Sequence, residues 1–277
     1  MTFQISPHVQ VRERSISSII PAVATANAGT VGAFSWGPVE EIVLISPNED
    51  VLVDRFGKPN NSNFRDWLAT SSFLAYARSV NIVRVIPDDA LNATADETTS
   101  TDGMLIKNLD NYENQAFDAS DHLWIAKYPG DLGNSVGVAW ADNDTFTAED
   151  SNGPTWRWHS LFTSEPETDE LHIVVYDAGG KITGTVDEVL EIHPFLSTQE
   201  DAVKPDGTTA YFVEALKRLS PWVWVGNESK LSSGSDVIRL CYLHVGPLES
   251  SAVKVSLSAH AIPTELPRSP GYFAIHR

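Results

Sequence analysis

Few residues in this sequence have types and spacings that could do chemistry. Gly133-Asn134-Ser135-Val136-Gly137 matches the G-x-S-x-G pattern of a serine nucleophile. That pattern needs a strand before the serine and a helix after it, so that the hydroxyl stands exposed on a sharp turn. Here Pro129-Gly130 lies upstream and a strand-like run, 136–140, follows. The residues therefore predict a glycine-rich loop between strands, with a serine hydrolase through Ser135 as an alternative. Asp142, Asn143 and Asp144 begin like a calcium loop, but Phe146 stands where the third ligand belongs and no glycine follows. Cys241 and His244 have a zinc-like spacing, yet two ligands do not close a tetrahedral site. His159, His172 and His193 stand apart and read as surface or hydrogen-bonded histidines. Gly179-Gly180-Lys181 lacks the spacing of a phosphate loop. The acidic run Glu165, Glu167, Asp169 and Glu170 reads as solvated loop. Asn60, Asn92, Asn143 and Asn227 fit glycosylation sequons, which carry no weight without a secretion signal. Catalytic, cofactor and metal residues are each expected to be none. Trp156 and Trp158, two apart in a polar loop, leave a second alternative, a carbohydrate or host-surface binding module whose flat aromatic faces stack on sugars.

These residues must be positioned by the elements around them. Residues 1–20 alternate weakly and predict an extended arm, with Val9, Val11, Ile16, Ile19 and Ile20 as its apolar positions. Such an arm is either an edge strand of its own domain or a strand donated to a neighbour's sheet. Residues 30–36 and 41–45 read as strands around the turn Gly37-Pro38. Ser46-Pro47-Asn48-Glu49 predicts a helix start with Ser46 as cap and Glu49 completing a capping box. A second helix is expected over 63–79, burying Phe64, Trp67, Leu68, Ser71, Leu74 and Ala75. A strand over 82–86 follows, and strand, helix and strand in succession imply an α/β layer. Beyond an acidic linker, 88–103, strands are expected at 122–128, 136–140, 171–176 and 222–225, with a helix over 208–219. Val253, Val255, Leu257, Ala259 and Ala261 alternate with polar residues and suggest a hairpin with 237–245.

The fold class expected is α/β and α+β: an extended arm (1–20), a partial α/β core layer (21–90), and an inserted, acidic, β-rich α+β domain (91–230). A divergent tail (231–277) follows, possible hairpin and proline-rich end. The chain has 277 residues, 42% of them hydrophobic, with 8 Trp, 11 Phe and 7 Tyr, which is ample for a core. Its formal charge is −18, from 37 acidic and 19 basic residues. Residues 88–150 hold 14 acidic residues against Lys107 and Lys127 alone. That balance repels phosphate backbones and anionic lipid, so neither nucleic acid nor membrane is expected as a partner. A single cysteine excludes an internal disulfide framework. Without an apolar leader, synthesis in a cytoplasm is expected.

Taken together, several stretches resemble the tail sheath family of phages with contractile tails. They are Ile20-Pro21-Ala22-Val23-Ala24-Thr25, then Gly32-Ala33-Phe34-Ser35-Trp36-Gly37-Pro38-Val39-Glu40 and Phe56-Gly57-Lys58-Pro59. Next come Asn63-Phe64-Arg65-Asp66-Trp67, Val83-Arg84-Val85, and Ala126-Lys127-Tyr128-Pro129-Gly130 with Gly133-Asn134-Ser135. Glu170-Leu171-His172-Ile173-Val174-Val175-Tyr176, Gly180-Lys181-Ile182-Thr183-Gly184-Thr185 and Val189-Leu190-Glu191 continue it. The resemblance runs over about 7–230. It implies a structural subunit that polymerises around a tail tube and contracts to deliver a genome. The partners implied are other sheath subunits in a homo-oligomer, the tail tube, the baseplate and the tail terminator. Its place would be the virion tail, after synthesis in the host cell cytoplasm. It makes Tyr128, Pro129, Gly130, Gly133 and Asn134 a structural loop and the arm, about 8–20, a donated strand. Family members continue past this length with a half that completes the core. The composition shift near residue 235 leaves a truncation, an altered reading frame and a split gene all open.

Overall fold

The computed structural model describes residues 27–46, 48–76, 79–96, 99–118, 120–232 and 234–240. The arm positions Val9, Val11, Ile16, Ile19 and Ile20, the Cys241–His244 pair and the alternation at 253–261 lie outside the described residues.

The first region runs Asn27–Ala33 (β1), Ile42–Ile45 (β2), Glu49–Phe56 (α1), Phe64–Leu74 (α2) and Ser79–Val85 (β3). β3 is central, parallel to β1 and antiparallel to β2. Alternation in β3 sends Val80 and Ile82 to one face, where they pack with Ile45, Leu52, Phe56, Trp67 and Leu74. The cap of α1 is Asn48, not Ser46. Asn48 is extended and accepts the Asp50 N–H at 3.0 Å, being closer to the first turn than the serine. α2 ends at Leu74, with four residues between it and β3, instead of running to 79. It buries Trp67, Thr70 and Leu74, whereas Phe64, Leu68 and Ala75, expected inside, are exposed.

The second region contains two four-stranded antiparallel sheets. Its elements are Asn92–Ala95 (β4), Thr99–Met104 (β5), Leu109–Glu113 (α3), Trp124–Ala126 (β6), Val136–Ala141 (β7) and Asn143–Thr147 (α4). Glu149–Asp150 (β8), Gly153–Pro154 (β9), Glu170–Asp177 (β10), Glu188–Ser197 (β11), Phe212–Leu219 (α5), Val223–Val225 (β12) and Gly234–Arg239 (β13) complete it. One sheet is ordered β12-β6-β4-β5 and the other β11-β10-β7-β13. They share one core, in which Trp124 meets Trp140 at 5.4 Å and α5 contributes Phe212, Ala215 and Leu216. The far face of the second sheet is also covered, by Phe146, Trp156 and Trp158. The far face of the first is covered by Ile106 and Tyr112. Double burial explains the apolar run Ile173-Val174-Val175-Tyr176, whose residues pack alternately on the two faces.

Four expectations change here. The acidic stretch 88–103 contains β4 and β5 and is no simple linker: the amide of Asn92 donates to the carbonyls of Ile106 (3.0 Å) and Ala126 (2.8 Å), and its oxygen accepts the Ile106 N–H. β11, interrupted by Glu188, Glu191 and Pro194, is not among the strands expected. α5 begins at Phe212 and not at 208, because residues 208–210 spend their backbone groups on Lys204, Ala202 and Ser197. Gly234–Arg239, placed by composition in a divergent tail, pairs with β7 and buries Ile238.

Gly137 in β7 shows how tight this packing is, since a Cβ there would lie 2.4 Å from the ring of buried Tyr176. Gly137→Ala is expected to destabilise the protein by ~2 kcal/mol through overpacking. Urea unfolding measures it; a variant as stable as the parent would mean the ring can move aside.

Candidate assembly interface

The loop residues Tyr128, Pro129, Gly130, Gly133 and Asn134 lie between β6 and β7, against the chain that leaves β1. Arg84, at the end of β3, is buried between the two. Its Nε donates to Phe34 O at 2.8 Å, Nη1 to Gly37 O at 2.7 Å, and Nη2 to Pro129 O at 2.7 Å and Ser35 O at 3.4 Å. One planar guanidinium thus clamps carbonyls from both regions. Gly130 has φ +125°, and a Cβ there would approach Nη2 to 3.1 Å. Both facts favour glycine after Pro129. Trp36 closes the junction, donating to Pro221 O at 3.2 Å and touching Tyr128 and Trp222. Burial raises the Tyr128 hydroxyl pKa. Gly133 faces Ala126, where a Cβ would fall 2.9 Å from its methyl, and Asn134 O accepts Arg239 Nε at 2.9 Å.

Ser135 occupies a 3-10 turn, Gly133–Ser135, and is followed by a strand. Its hydroxyl is fully buried and donates to Asp177 Oδ1 at 2.6 Å, while accepting the Lys181 N–H at 3.0 Å. Asp177 Oδ2 accepts the N–H groups of Ile182 and Thr183. Burial pushes the Asp177 pKa up, but the bonds from Ser135, Thr183 and Ile182 outweigh it, and the net shift is downward. Serine and aspartate therefore tie the 178–187 loop to β7 and β10. The hydroxyl has no exposed turn to stand on, and the histidine of a hydrolytic triad is not among its partners.

The other candidates are also consumed internally. Asp142 caps α4 by accepting the Thr145 N–H at 2.8 Å. His172 is buried, with Nε2 donating to Ser164 O at 2.9 Å, Nδ1 accepting the Phe195 N–H, and its ring stacked on Phe162. Burial lowers its pKa against the opposing effect of that bond to Ser164. His159 stacks on Phe146 and His193 meets Glu191 at 3.1 Å. Trp156 and Trp158 are buried, at 2% and 6% exposure, which removes the flat platform that the sugar-binding alternative needs. The tryptophans cover the far face of β10. Among the described residues no group of three or more His, Cys, Asp or Glu is placed to hold a metal, and no helix is long and apolar enough to cross a membrane.

What the first region leaves open is an apolar surface, of which the sequence had placed Phe64 and Leu68 inside. Register places Val31, Ile42, Leu44 and Val83 on the face of the three-stranded sheet away from the helices. Ile42 is 70% exposed, Leu44 64% and Val31 51%. Phe64 and Leu68, one turn apart on α2, add a second exposed strip beside the buried one. A sheet containing a parallel pair ordinarily has both faces covered. Clustered apolar exposure on this scale marks a surface that meets other polypeptide. Charge agrees: residues 91–230 hold 25 acidic and 8 basic residues, whereas 27–90 hold 8 and 5.

The candidate polar residues are thus spent internally, while the α/β layer keeps an apolar face exposed. By sequence the chain is related to the tail sheath proteins of phages. It is 33% identical over 191 residues to the tail sheath protein of Salmonella phage ViI, covering 69% of this chain and 28% of that one. It is 34% identical over 91 residues to that of Vibrio phage KVP40, covering 32% and 13%. To that of Enterobacteria phage T4 it is 30% identical over 105 residues, covering 36% and 16%. The matches thus span well under a third of each relative's length. Among solved structures, a sheath tail protein from Listeria innocua aligns with TM-score 0.39 and 15% identity, over 78% of this chain and 34% of that one. One from Desulfitobacterium hafniense aligns with TM-score 0.38 and 13% identity, over 87% and 39%. No family model matches the chain.

Arg84→Met is expected to cost ~3 kcal/mol or more, because buried carbonyls lose their donors, and urea unfolding measures it. A loss within 0.5 kcal/mol, the range of ordinary surface substitutions, would remove the guanidinium from its proposed role as clamp. For Asp177, a folded pKa below its unfolded value means stabilisation that is present above the unfolded pKa and lost as pH falls through the folded one. The stability gap between parent and Asp177→Asn should therefore hold at neutral pH and shrink progressively on acidification below about pH 4. A gap that widens on acidification contradicts the assignment.

Proposed function

We propose that this chain is a structural subunit, or part of one, of a phage contractile tail sheath, which polymerises around a tail tube and contracts to drive genome delivery. The observation that carries the reading is the 191-residue similarity to a tail sheath protein, joined to an apolar layer left uncovered where assembly contacts are needed. On this reading its partners are other sheath subunits, the tail tube, the baseplate and the tail terminator, and its place is the virion tail after synthesis in the host cytoplasm. The arm with Val9, Val11, Ile16, Ile19 and Ile20 would be donated to a neighbour's sheet, where backbone hydrogen bonds give affinity. The loop of Tyr128, Pro129, Gly130, Gly133 and Asn134 keeps the acidic region fixed to the layer that carries the arm. The reading assigns no catalytic role, and the buried Ser135 supports that.

Electron microscopy of the purified chain, alone and mixed with a full-length sheath relative and tail tube, tests the proposal. Incorporation into a helical lattice is expected, with loss on deleting residues 1–20. Ile42→Lys with Leu44→Lys should leave the thermal transition in place, since both side chains are exposed, and abolish incorporation. A chain that stays monomeric in every mixture, or a double variant that assembles normally, would overturn the corresponding part.

A further inference from the structure

A cleft of about 290 Å³ lies in the acidic second region, lined by Tyr112, Phe117, Tyr211, Val213 and the run Gly226, Asn227 and Glu228. Its tyrosine hydroxyls are already committed. The Tyr112 hydroxyl donates to Val225 O at 2.7 Å, and that of Tyr211 donates to Glu228 Oε2. The Asn227 amide donates to Asp118 O, and the backbone N–H groups of Gly226 and Asn227 donate to Leu123 O and His122 O. What remains for a ligand is the Glu228 carboxylate and aromatic surface. Glu228 is in no ion pair among the described residues. The basic side chains nearby are engaged elsewhere, Lys217 with Glu113 and Glu214, and Lys230 with Asp96. The charges felt at the cleft are negative: Glu214 and Glu228 act on Tyr112, and Glu200 acts on Glu228.

We propose that this cleft receives an arginine side chain presented by a protein partner. Charge complementarity fixes the sign of the ligand. The carboxylates of Glu228, Glu214 and Glu200 disfavour an anion, and the committed tyrosine hydroxyls disfavour a sugar, which needs both donors and acceptors from its site. A planar guanidinium supplies donors to the carboxylate and stacks on tyrosine and phenylalanine rings, which a compact ammonium does less well. The volume suits one side chain and not a drug-sized molecule. The Tyr211 hydroxyl holds one carboxylate oxygen, orienting the other for the incoming group. This assignment is independent of the sheath reading, since it rests on the cleft alone.

The test is an amide-correlation NMR titration of the full chain with N-acetyl-arginine methylamide, with the citrulline counterpart as neutral isostere. Saturable shifts are expected for the Gly226 and Asn227 amides and the Trp224 indole, which stacks on Tyr112 at 4.3 Å. Glu228→Gln should weaken the dissociation constant at least fivefold, and citrulline should produce no saturable shift. Tyr211→Phe, which keeps the ring and the carboxylate, should weaken binding less than Glu228→Gln. Equal shifts with citrulline, shifts unchanged in Glu228→Gln, or no saturable shift with the arginine probe would each overturn the proposal.

Discussion

The guanidinium of Arg84 is the interaction on which the arrangement of the two regions depends. It is buried, and an isolated buried cation is costly, so it persists only because several carbonyl oxygens accept from it in good geometry. Three of those carbonyls come from the chain just after β1 and one from Pro129. The same cation therefore shapes the turn at Gly37 and docks the β6–β7 connection on it. Neither could be rebuilt by an apolar residue, which would leave the carbonyls unsatisfied. Conformational requirements then propagate outward. Gly130 is needed beside Nη2, and Gly37, at φ +98°, is needed beside Arg55 O.

A second polar device works the same way inside the acidic region. Lys127 is buried, with Nζ donating to the carbonyls of Ser220 and Lys217 at the C-terminal end of α5 and lying 4.0 Å from the Trp224 ring centroid. The partial negative charge of that helix end and the aromatic face compensate the ammonium. Burial still pulls its pKa down to about 8. Buried cations thus serve as joints, each donating to backbone carbonyls from separate elements. Such joints fix orientation as well as position, which apolar contacts alone do less strictly.

Much of this was legible in the residues. The strands expected at 136–140 and 171–176, the two helices of the first region, and a glycine-rich loop between strands follow from local spacing and turn chemistry. What was not legible depended on long-range cover. Asn92–Ala95 reads as linker because its core face is built from two alanines, and only the distant Ile106 and Ala126 carbonyls make Asn92 a buried residue. Trp156 and Trp158 look exposed in a polar loop, because the sheet face they cover is made by residues distant along the chain, Ala139 and Ala141 before them and Val174 and Tyr176 after them. Phe64 and Leu68 were expected inside because periodicity measures an apolar stripe, not the width of what covers it. In the structure only half of that stripe finds a neighbour within the chain. The arm and the last segments lie outside the described residues, so the structure does not bear on their assignment.

Electrostatics constrains which surface a second polypeptide can share. Nearly all of the net charge belongs to residues 91–230, where acidic residues outnumber basic ones threefold. Two copies meeting through that region would place like charges within about 8 Å, the distance over which physiological salt leaves repulsion intact. Meeting through the first region avoids this cost and covers the apolar face of β1, β2 and β3, where burying each exposed aliphatic side chain contributes up to ~2 kcal/mol. On the reading proposed above, repulsion and burial favour the same arrangement: the layer around Arg84 facing other copies, and the acidic region facing away from them. A partner approaching the acidic side must instead bring positive charge, which is the condition the cleft beside Glu228 sets locally.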